Sequence, residues 1–539
     1  MSTVAVRPID EARLEASRQL DPSRRSQLGQ FMTPTAIADF MASLFTHWPK
    51  NVRLLDPGAG VGSLTESFTE RFLASAPTGA SLDVHCYEIE TLLQEYLLDH
   101  LREMETRCNS QNHPFTSTIH NRDFIAEASF EIGMGGPRFT HAILNPPYKK
   151  ISTDSDHRKM LRQTGLETVN LYTAFLGLAV AMLEDDGEVV AIVPRSFCNG
   201  PYYRPFRAFL LERAALTHIH VFESRTRAFK DDEVLQENII VRLVRGARQG
   251  TVMVSMSHDQ SFSDLAIREI PFAEIVKPDD AERFIHVPTE LVTDFGPLFS
   301  HTLEDLGIEV STGPVVDFRL KEHWLAEPKG QCVPLLYTHH FRGGQFTWPM
   351  EHKKPNALCL NDDTRKWLMP RGCYVLTKRF SAKEERRRLV AYVIEPKQLE
   401  YDHYGFENHL NVFHHRKQGL PSDLAHGLRL FLNSTIVDRY FRNFSGHTQV
   451  NATDLRSMRY PSREMLTQLG KWTHAQTSLN QEDIDRYIES ENAGSSDSLQ
   501  QFALSESIYG PLTTTGNLGV SAIAHGIRHA TTGLNLLKS

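Results

Sequence analysis

Cysteine is scarce: six in 539 residues (Cys86, Cys108, Cys198, Cys332, Cys359, Cys373), scattered and without a C-x-x-C pair. That excludes a secreted disulfide scaffold and points to a reducing compartment, the cytoplasm. No stretch approaches the roughly 18 uncharged apolar residues of a membrane span. The opening MSTVAVRPIDEARLEASRQL is charged throughout, so no signal peptide and no membrane association are expected. An excess of positive charge is missing too: 58 Lys and Arg face 66 Asp and Glu, a balance of -8. The chain therefore does not coat nucleic acid by bulk charge, although a local basic face stays open. There is no H-E-x-x-H, no Cys/His cluster of metal spacing and no G-x-x-x-x-G-K-[ST], so neither a metal nor a phosphate-cradling P-loop is expected. The adjacent pairs His339-His340 and His414-His415 read as polar surface or DNA contacts.

What is present is ample apolar mass: 40% of residues are AVILMFWYC and 23% are charged, enough for more than one packed core. Val52-Arg-Leu-Leu55 stops at a glycine turn, and a helical pattern starts at Leu64. Strand, turn and helix then alternate through strands at 81–87, 116–120, 140–144, 187–193, 217–222 and 238–244. This rhythm predicts an α/β fold with a doubly wound, mostly parallel sheet, whose ligands sit beyond the carboxyl ends of the strands. After Gly246 the pattern breaks into short apolar pieces, as in a mixed α+β region. The expected division is 1–245 as the first domain, 246–289 as a connecting segment, 290–470 as the second domain and 471–539 as a tail with a polar linker.

Four strand ends carry candidate chemistry. Asp56-Pro57-Gly58-Ala59-Gly60-Val61-Gly62 is a glycine turn that lets backbone approach a ligand, with Gly58 and Gly60 at its centre, and the leading Asp56 suits a cationic or amine-bearing ligand. Glu88, at the tip of the next strand, stands where a carboxylate accepts both hydroxyls of a ribose. Asp123 can accept from an adenine amine and Phe124 can stack on the base. Together these describe S-adenosylmethionine better than NAD. The fourth, Asn145-Pro146-Pro147-Tyr148, suits a poorly nucleophilic exocyclic or amide NH₂. The Asn145 oxygen and Pro146 carbonyl can accept from it and draw its nitrogen toward sp³, the prolines stiffen the loop, and Tyr148 offers a face for a planar base.

Gln30-Phe-Met-Thr33-Pro34, the glycine turn, Tyr87-Glu88, Asp123-Phe124 and Asn145-Pro-Pro-Tyr148, in this order, resemble the gamma class of DNA adenine-N6 methyltransferases. The resemblance covers the first 245 residues and implies a class I, Rossmann-like methyltransferase domain using S-adenosylmethionine, followed by a target-recognition domain. It implies that Thr33, Asp56, Glu88, Asp123, Phe124 and Pro147 contact the donor, that Asn145, Pro146 and Tyr148 hold a flipped adenine, and that Phe229 stacks on it. Farther on, Ser445-Gly-His447-Thr448-Gln449-Val-Asn451-Ala-Thr-Asp-Leu-Arg456 with Tyr460-Pro461 looks like a segment of type II restriction-modification methylases of the PstI and BsuBI kind. That implies double-stranded DNA as substrate and a cognate restriction endonuclease as functional partner, with the methylase a monomer.

The same loop is rich in donors for phosphates and base edges. Upstream, Leu376–Leu389 holds the densest basic cluster, with Lys378, Arg379, Arg386 and Arg387 as DNA-binding candidates. Residues 371–460 hold 15 Lys and Arg against 9 Asp and Glu, an excess of +6, as a DNA-facing patch requires. Two other readings stand beside this one: a methyltransferase acting on an RNA base or a protein glutamine, and a catalytically inactive DNA-binding module. Pro278-Asp279 with Glu327-Pro-Lys329 or Glu395-Pro-Lys397 supplies fragments of a nuclease pattern at long separations.

Overall fold

The structure is a computed structural model that describes residues 7–20, 32–136, 138–222, 238–287, 299–342, 345–381, 385–444, 449–476, 480–488 and 490. The described residues up to Asp485 belong to one compact unit, which holds the sheets and the cavity.

Nine strands among the described residues make one sheet: β1 (Asn51–Pro57), β2 (Ser81–Tyr87), β3 (Phe115–His120), β4 (Phe139–Leu144), β5 (Leu183–Pro194), β6 (Ala214–Phe222), β7 (Asn238–Arg245), β8 (Thr251–Ser257) and β9 (Ala266–Pro271), in the order β3-β2-β1-β4-β5-β7-β6-β8-β9. β1 to β5 pair in parallel, and β7 runs antiparallel between β5 and β6. This is the doubly wound, mostly parallel α/β sheet that the strand rhythm predicts. Chain direction across the sheet reverses between β1 and β4, so the tips of β1 and β4 open a crevice side by side.

The central strands are apolar on both faces because helices cover both. Along β5, Val189, Ala191 and Val193 enter one core cluster and Val190 and Ile192 the other; along β4, Ala142 and Leu144 face one way and Ile143 the other. All are buried, each valine, leucine and isoleucine among them contributing about 1.5–3 kcal/mol relative to exposure. The turn after β1 depends on glycine: Gly58, Gly60 and Gly62 have φ of +86°, +59° and +94°, and Gly62 caps the helix Ser63–Ser75.

The stretch 246–289, expected to connect two domains, differs from that reading: β8 pairs with β6 in parallel and β9 pairs with β8, so both extend the main sheet. β9 buries only Ile270, which is why its sequence carries no apolar face to read.

The later residues are mixed α+β, as expected. An antiparallel sheet runs Glu309–Thr312, Leu410–His414, Tyr374–Lys378, Ala391–Ile394, and a second combines Trp324–Leu325, Ala357–Cys359, Cys332–Leu336, His403–Phe406 and Met369–Pro370. Helices Ser422–Leu432 and Arg463–His474 cross at Gly427 and Gly470, where an added Cβ would lie 1.7 Å from the Leu466 and Asp423 carbonyl oxygens respectively. Only glycine permits that approach. Arg195, buried after β5, donates to the carbonyls of Val287 (2.9 Å) and Arg442 (3.1 Å), tying the main sheet to the helix Thr435–Phe444. No helix among the described residues is long and apolar enough to cross a membrane.

Candidate active site

A cavity of about 390 Å³ opens at the carboxyl ends of β1 to β4, within the size range of small-molecule sites. Thr33, Gly58, Gly60, Glu88, Asp123, Phe124, Asn145 and Pro147 all line it, so residues 114 positions apart in sequence share one wall. The turn and the second strand are latched together: Gly58 and Ala59 N–H donate to the Tyr87 carbonyl at 2.8 and 3.0 Å, and Gly60 N–H donates to Glu88 Oε2 at 2.9 Å. Glu88 Oε1 accepts from the amides of Ile89 and Glu90, both at 2.9 Å. Burial nevertheless pushes the Glu88 carboxyl above its usual range, against those three donors.

Asp123 caps the helix Phe124–Met134, Oδ1 accepting from Ala126 N–H at 2.9 Å, while Oδ2 meets His157 Nε2 at 3.0 Å. Burial pushes its carboxyl up, but the bonds from His157 and Ala126 outweigh it and hold the group below the usual range. Phe124 is buried, edge-on to Tyr87 (centroids 5.0 Å apart) and tilted on Phe175 (4.9 Å). Asp56 corrects the sequence reading. It is fully buried behind the cavity wall, Oδ2 accepting from Thr65 Oγ1 at 2.6 Å, and it does not line the cavity. Burial, with the nearby Glu88 charge, raises its carboxyl to about 7. Asp56 therefore shapes the turn from behind, where donor contact was expected.

Asn145 follows the last residue of β4. Its Nδ2 donates to Thr33 Oγ1 at 3.0 Å, and its Oδ1 accepts from the Tyr148 hydroxyl at 3.1 Å. The amide is thereby oriented from both ends, and Thr33 reaches it from the segment before the helix Thr35–Ser43. Pro146 is buried; Pro147 lies on the cavity wall. Tyr148 sits just behind that wall, edge-on to Tyr172 at 6.1 Å, and burial raises its phenol so that it keeps its proton. Phe229 lies outside the described residues.

A family model described as "Eco57I restriction-modification methylase" matches residues 71–229. The chain is 48% identical over 499 residues to the type II methyltransferase M.BsuBI of Bacillus subtilis, covering 90% of this chain and 98% of that one. It is 45% identical over 474 residues to M.PstI of Providencia stuartii, covering 85% and 92%. It belongs to the type II restriction-modification methyltransferases. Among solved structures, that of a DrdV–DNA complex aligns with a TM-score of 0.48 at 14% identity, over 88% of this chain and 60% of that one. By its sequence relatives the enzyme is a DNA-methylating member of a restriction-modification system. No group of three or more His, Cys, Asp or Glu among the described residues is arranged to hold a metal ion.

In this methyltransferase the DNA-binding candidates divide. Lys378 ends the strand Tyr374–Lys378, and Arg386 and Arg456 are exposed. Arg387 turns inward: Nη2 donates to Thr435 Oγ1 at 3.2 Å, and burial lowers its guanidinium. Arg379 Nη1 donates to the Asn408 carbonyl at 3.3 Å. Asn451 is spent on structure, because it caps the helix Ala452–Ser457 in a reciprocal box with Asp454, whose Oδ2 accepts from Asn451 N–H at 2.8 Å. The spacing Asn451-x-x-Asp454 carries that signal in the sequence. Gln449 bridges to Phe380, which is 47% exposed. His447 and Thr448 lie outside the described residues. The nuclease fragments separate: Asp279 pairs with Arg459, Glu327 with Lys329, and Glu395 with Lys397.

Sequence reasoning missed Lys149, Lys150, Ile151, Ser155 and His157, which line the cavity from the segment after Tyr148. Lys149-Lys150 directly follows the Asn-Pro-Pro-Tyr motif, which is the one local hint. His157 has none, since its meeting with Asp123 depends on the fold.

Proposed function

We propose that this enzyme transfers a methyl group from S-adenosylmethionine to the N6 amine of an adenine rotated out of duplex DNA, protecting host sites from a partner endonuclease. The single observation that carries this reading is that one cavity is walled both by the glycine turn, Glu88 and Asp123 and by the oriented amide of Asn145. The residues present suit the donor: Glu88 keeps one acceptor site, on Oε2, for a ribose hydroxyl, Asp123 accepts at the rim, and Phe124 with Phe175 supplies an apolar wall. S-adenosylmethionine supplies an electrophilic methyl on a sulfonium. The chain does the rest by orientation. Thr33 and Tyr148 fix the Asn145 amide so that Oδ1 points to the incoming amine, and the Pro146 carbonyl offers the second acceptor. Acceptors set before the substrate arrives stabilise positive charge as it develops on nitrogen, at no reorganisation cost.

Extruding the base costs a few kcal/mol. Phosphate contacts from the exposed cations Arg386 and Arg456 and from the half-buried Lys378, in a target-recognition region after residue 290, would offset that cost. The test is Asn145→Ala: methyl incorporation into duplex DNA should fall by at least about 10²-fold, with binding of S-adenosylhomocysteine by calorimetry within a few-fold of wild type. Equal loss of both would make Asn145 a structural residue and remove the reading.

A further inference from the structure

The segment that follows Asn145-Pro-Pro-Tyr148 is strapped across the cavity and fastened at both ends. At its start, Leu171 N–H donates to the Lys149 carbonyl at 2.8 Å and Ile151 N–H to the Val169 carbonyl at 2.9 Å. At its far end, Ser155 caps the helix Asp156–Gln163, whose Leu161 is fully buried. Two arginines of that helix close on one carboxylate: Arg158 Nε reaches Glu167 Oε1 at 2.8 Å and Arg162 Nε reaches Oε2 at 2.7 Å. The helix also packs against Phe124–Met134, the helix that Asp123 caps. His157, on the first turn, is thus carried by a braced element and delivers Nε2 to Asp123 Oδ2 at 3.0 Å, on the cavity rim.

We infer that His157 is a positioning residue for the adenine end of the methyl donor, acting through Asp123. The inference rests on the proposed reading of Asp123 as the acceptor for that adenine. With Ala126 N–H on Oδ1 and His157 on Oδ2, the Asp123 side chain is fixed about both of its torsions, and the carboxylate, which also has the Ile125 N–H close by, retains an acceptor site for an amine. His157 and Asp123 are 37% and 48% exposed, so the pair is screened by solvent and contributes little to folding. Its consequence lies in the direction in which the carboxylate points. Because His157 belongs to the strap that begins at the Asn145 loop, the same bond links occupancy of the donor subsite to the wall on which the target base is held. Nothing in the local sequence Asp154-Ser-Asp-His157 announces this role.

The test compares wild type, His157→Ala, His157→Gln and Asp123→Asn with the double variants in the full chain. Readouts are calorimetric binding of S-adenosylhomocysteine and steady-state methylation of unmodified plasmid DNA with S-adenosylmethionine varied. His157→Ala should raise Kd and the donor KM about tenfold while kcat at saturating donor stays within twofold; His157→Gln, which keeps an N–H, should recover most of the loss. In the Asp123→Asn background, where asparagine still caps the helix, His157→Ala should add little. Unchanged donor affinity in His157→Ala, loss of kcat with KM unaltered, or full additivity of the two substitutions would overturn the inference while leaving the methyltransferase reading intact. Failure of wild type itself to bind S-adenosylhomocysteine would instead remove the reading on which it stands. Thermal melts accompany each variant, and an Ala variant that melts early is decided by the Gln variant.

Discussion

The Tyr148 hydroxyl and the Asn145 side-chain oxygen are hydrogen-bonded at 3.1 Å, with the hydroxyl donating. The oxygen proposed to accept the adenine amine is therefore already held in place before a base arrives. Tyr148→Phe keeps the ring and removes the tether. We expect kcat to fall about tenfold, the effect of roughly 1.4 kcal/mol of lost transition-state stabilisation, with DNA affinity unchanged. Wild-type kcat in this variant, measured by steady-state methylation, would show that the Tyr148 hydroxyl does not set the amide.

Asp56 predicts a pH dependence of stability. Its carboxyl is raised in the folded protein from 3.8 to about 7 by burial, so its stabilising contribution is complete below about 3.8 and is lost as pH rises through 7. By linkage this single group costs up to about 4 kcal/mol at high pH. Asp454, raised to about 7 for the same reason, acts in the same window. Asp56→Asn should hence flatten, without abolishing, the decline of the urea midpoint between pH 4 and 8. An identical pH slope in the variant and wild type contradicts the assignment.

Two neighbouring arginines should behave differently. Arg386 is exposed, whereas Arg387 is bonded to Thr435. Arg386→Ala should weaken DNA binding across sequences and lower the salt slope of log K by about 1, with an unchanged melting temperature. Arg387→Ala should lower the melting temperature and leave the salt slope alone. Fluorescence anisotropy at several salt concentrations, paired with thermal melts, checks both; the reverse pattern would reassign the DNA-facing side of this segment.

The parts of the molecule legible in the sequence are those whose cause is local. The glycine turn and Asn145 each follow a strand that announces itself by an apolar run ending in turn residues, Glu88 and Asp123 follow strands of mixed character placed by the alternating rhythm, and the fold brings these ends to one crevice. Asp56 was legible as part of the turn but not in its orientation, because whether a carboxylate points into a cavity or behind its wall is decided by Thr65 nine residues on. The same limit separates Arg386 from Arg387, and Asn451 as a cap from Asn451 as a base contact. β9 was missed because an edge strand with few buried side chains lacks the period that identifies central ones; β8 alternates buried Val252, Val254 and Met256, a strand signal that the sequence does carry. His157 could be reached only through tertiary contact.

The central claim is that the Asn145 wall readies an adenine N6 amine for methylation, and the most direct measurement is mass spectrometry of nucleosides from unmodified duplex DNA incubated with the enzyme and isotopically labelled S-adenosylmethionine. The account predicts label in N6-methyldeoxyadenosine, and none with Asn145→Ala. Label on cytosine, or in RNA or protein with duplex DNA left unmodified, would contradict it.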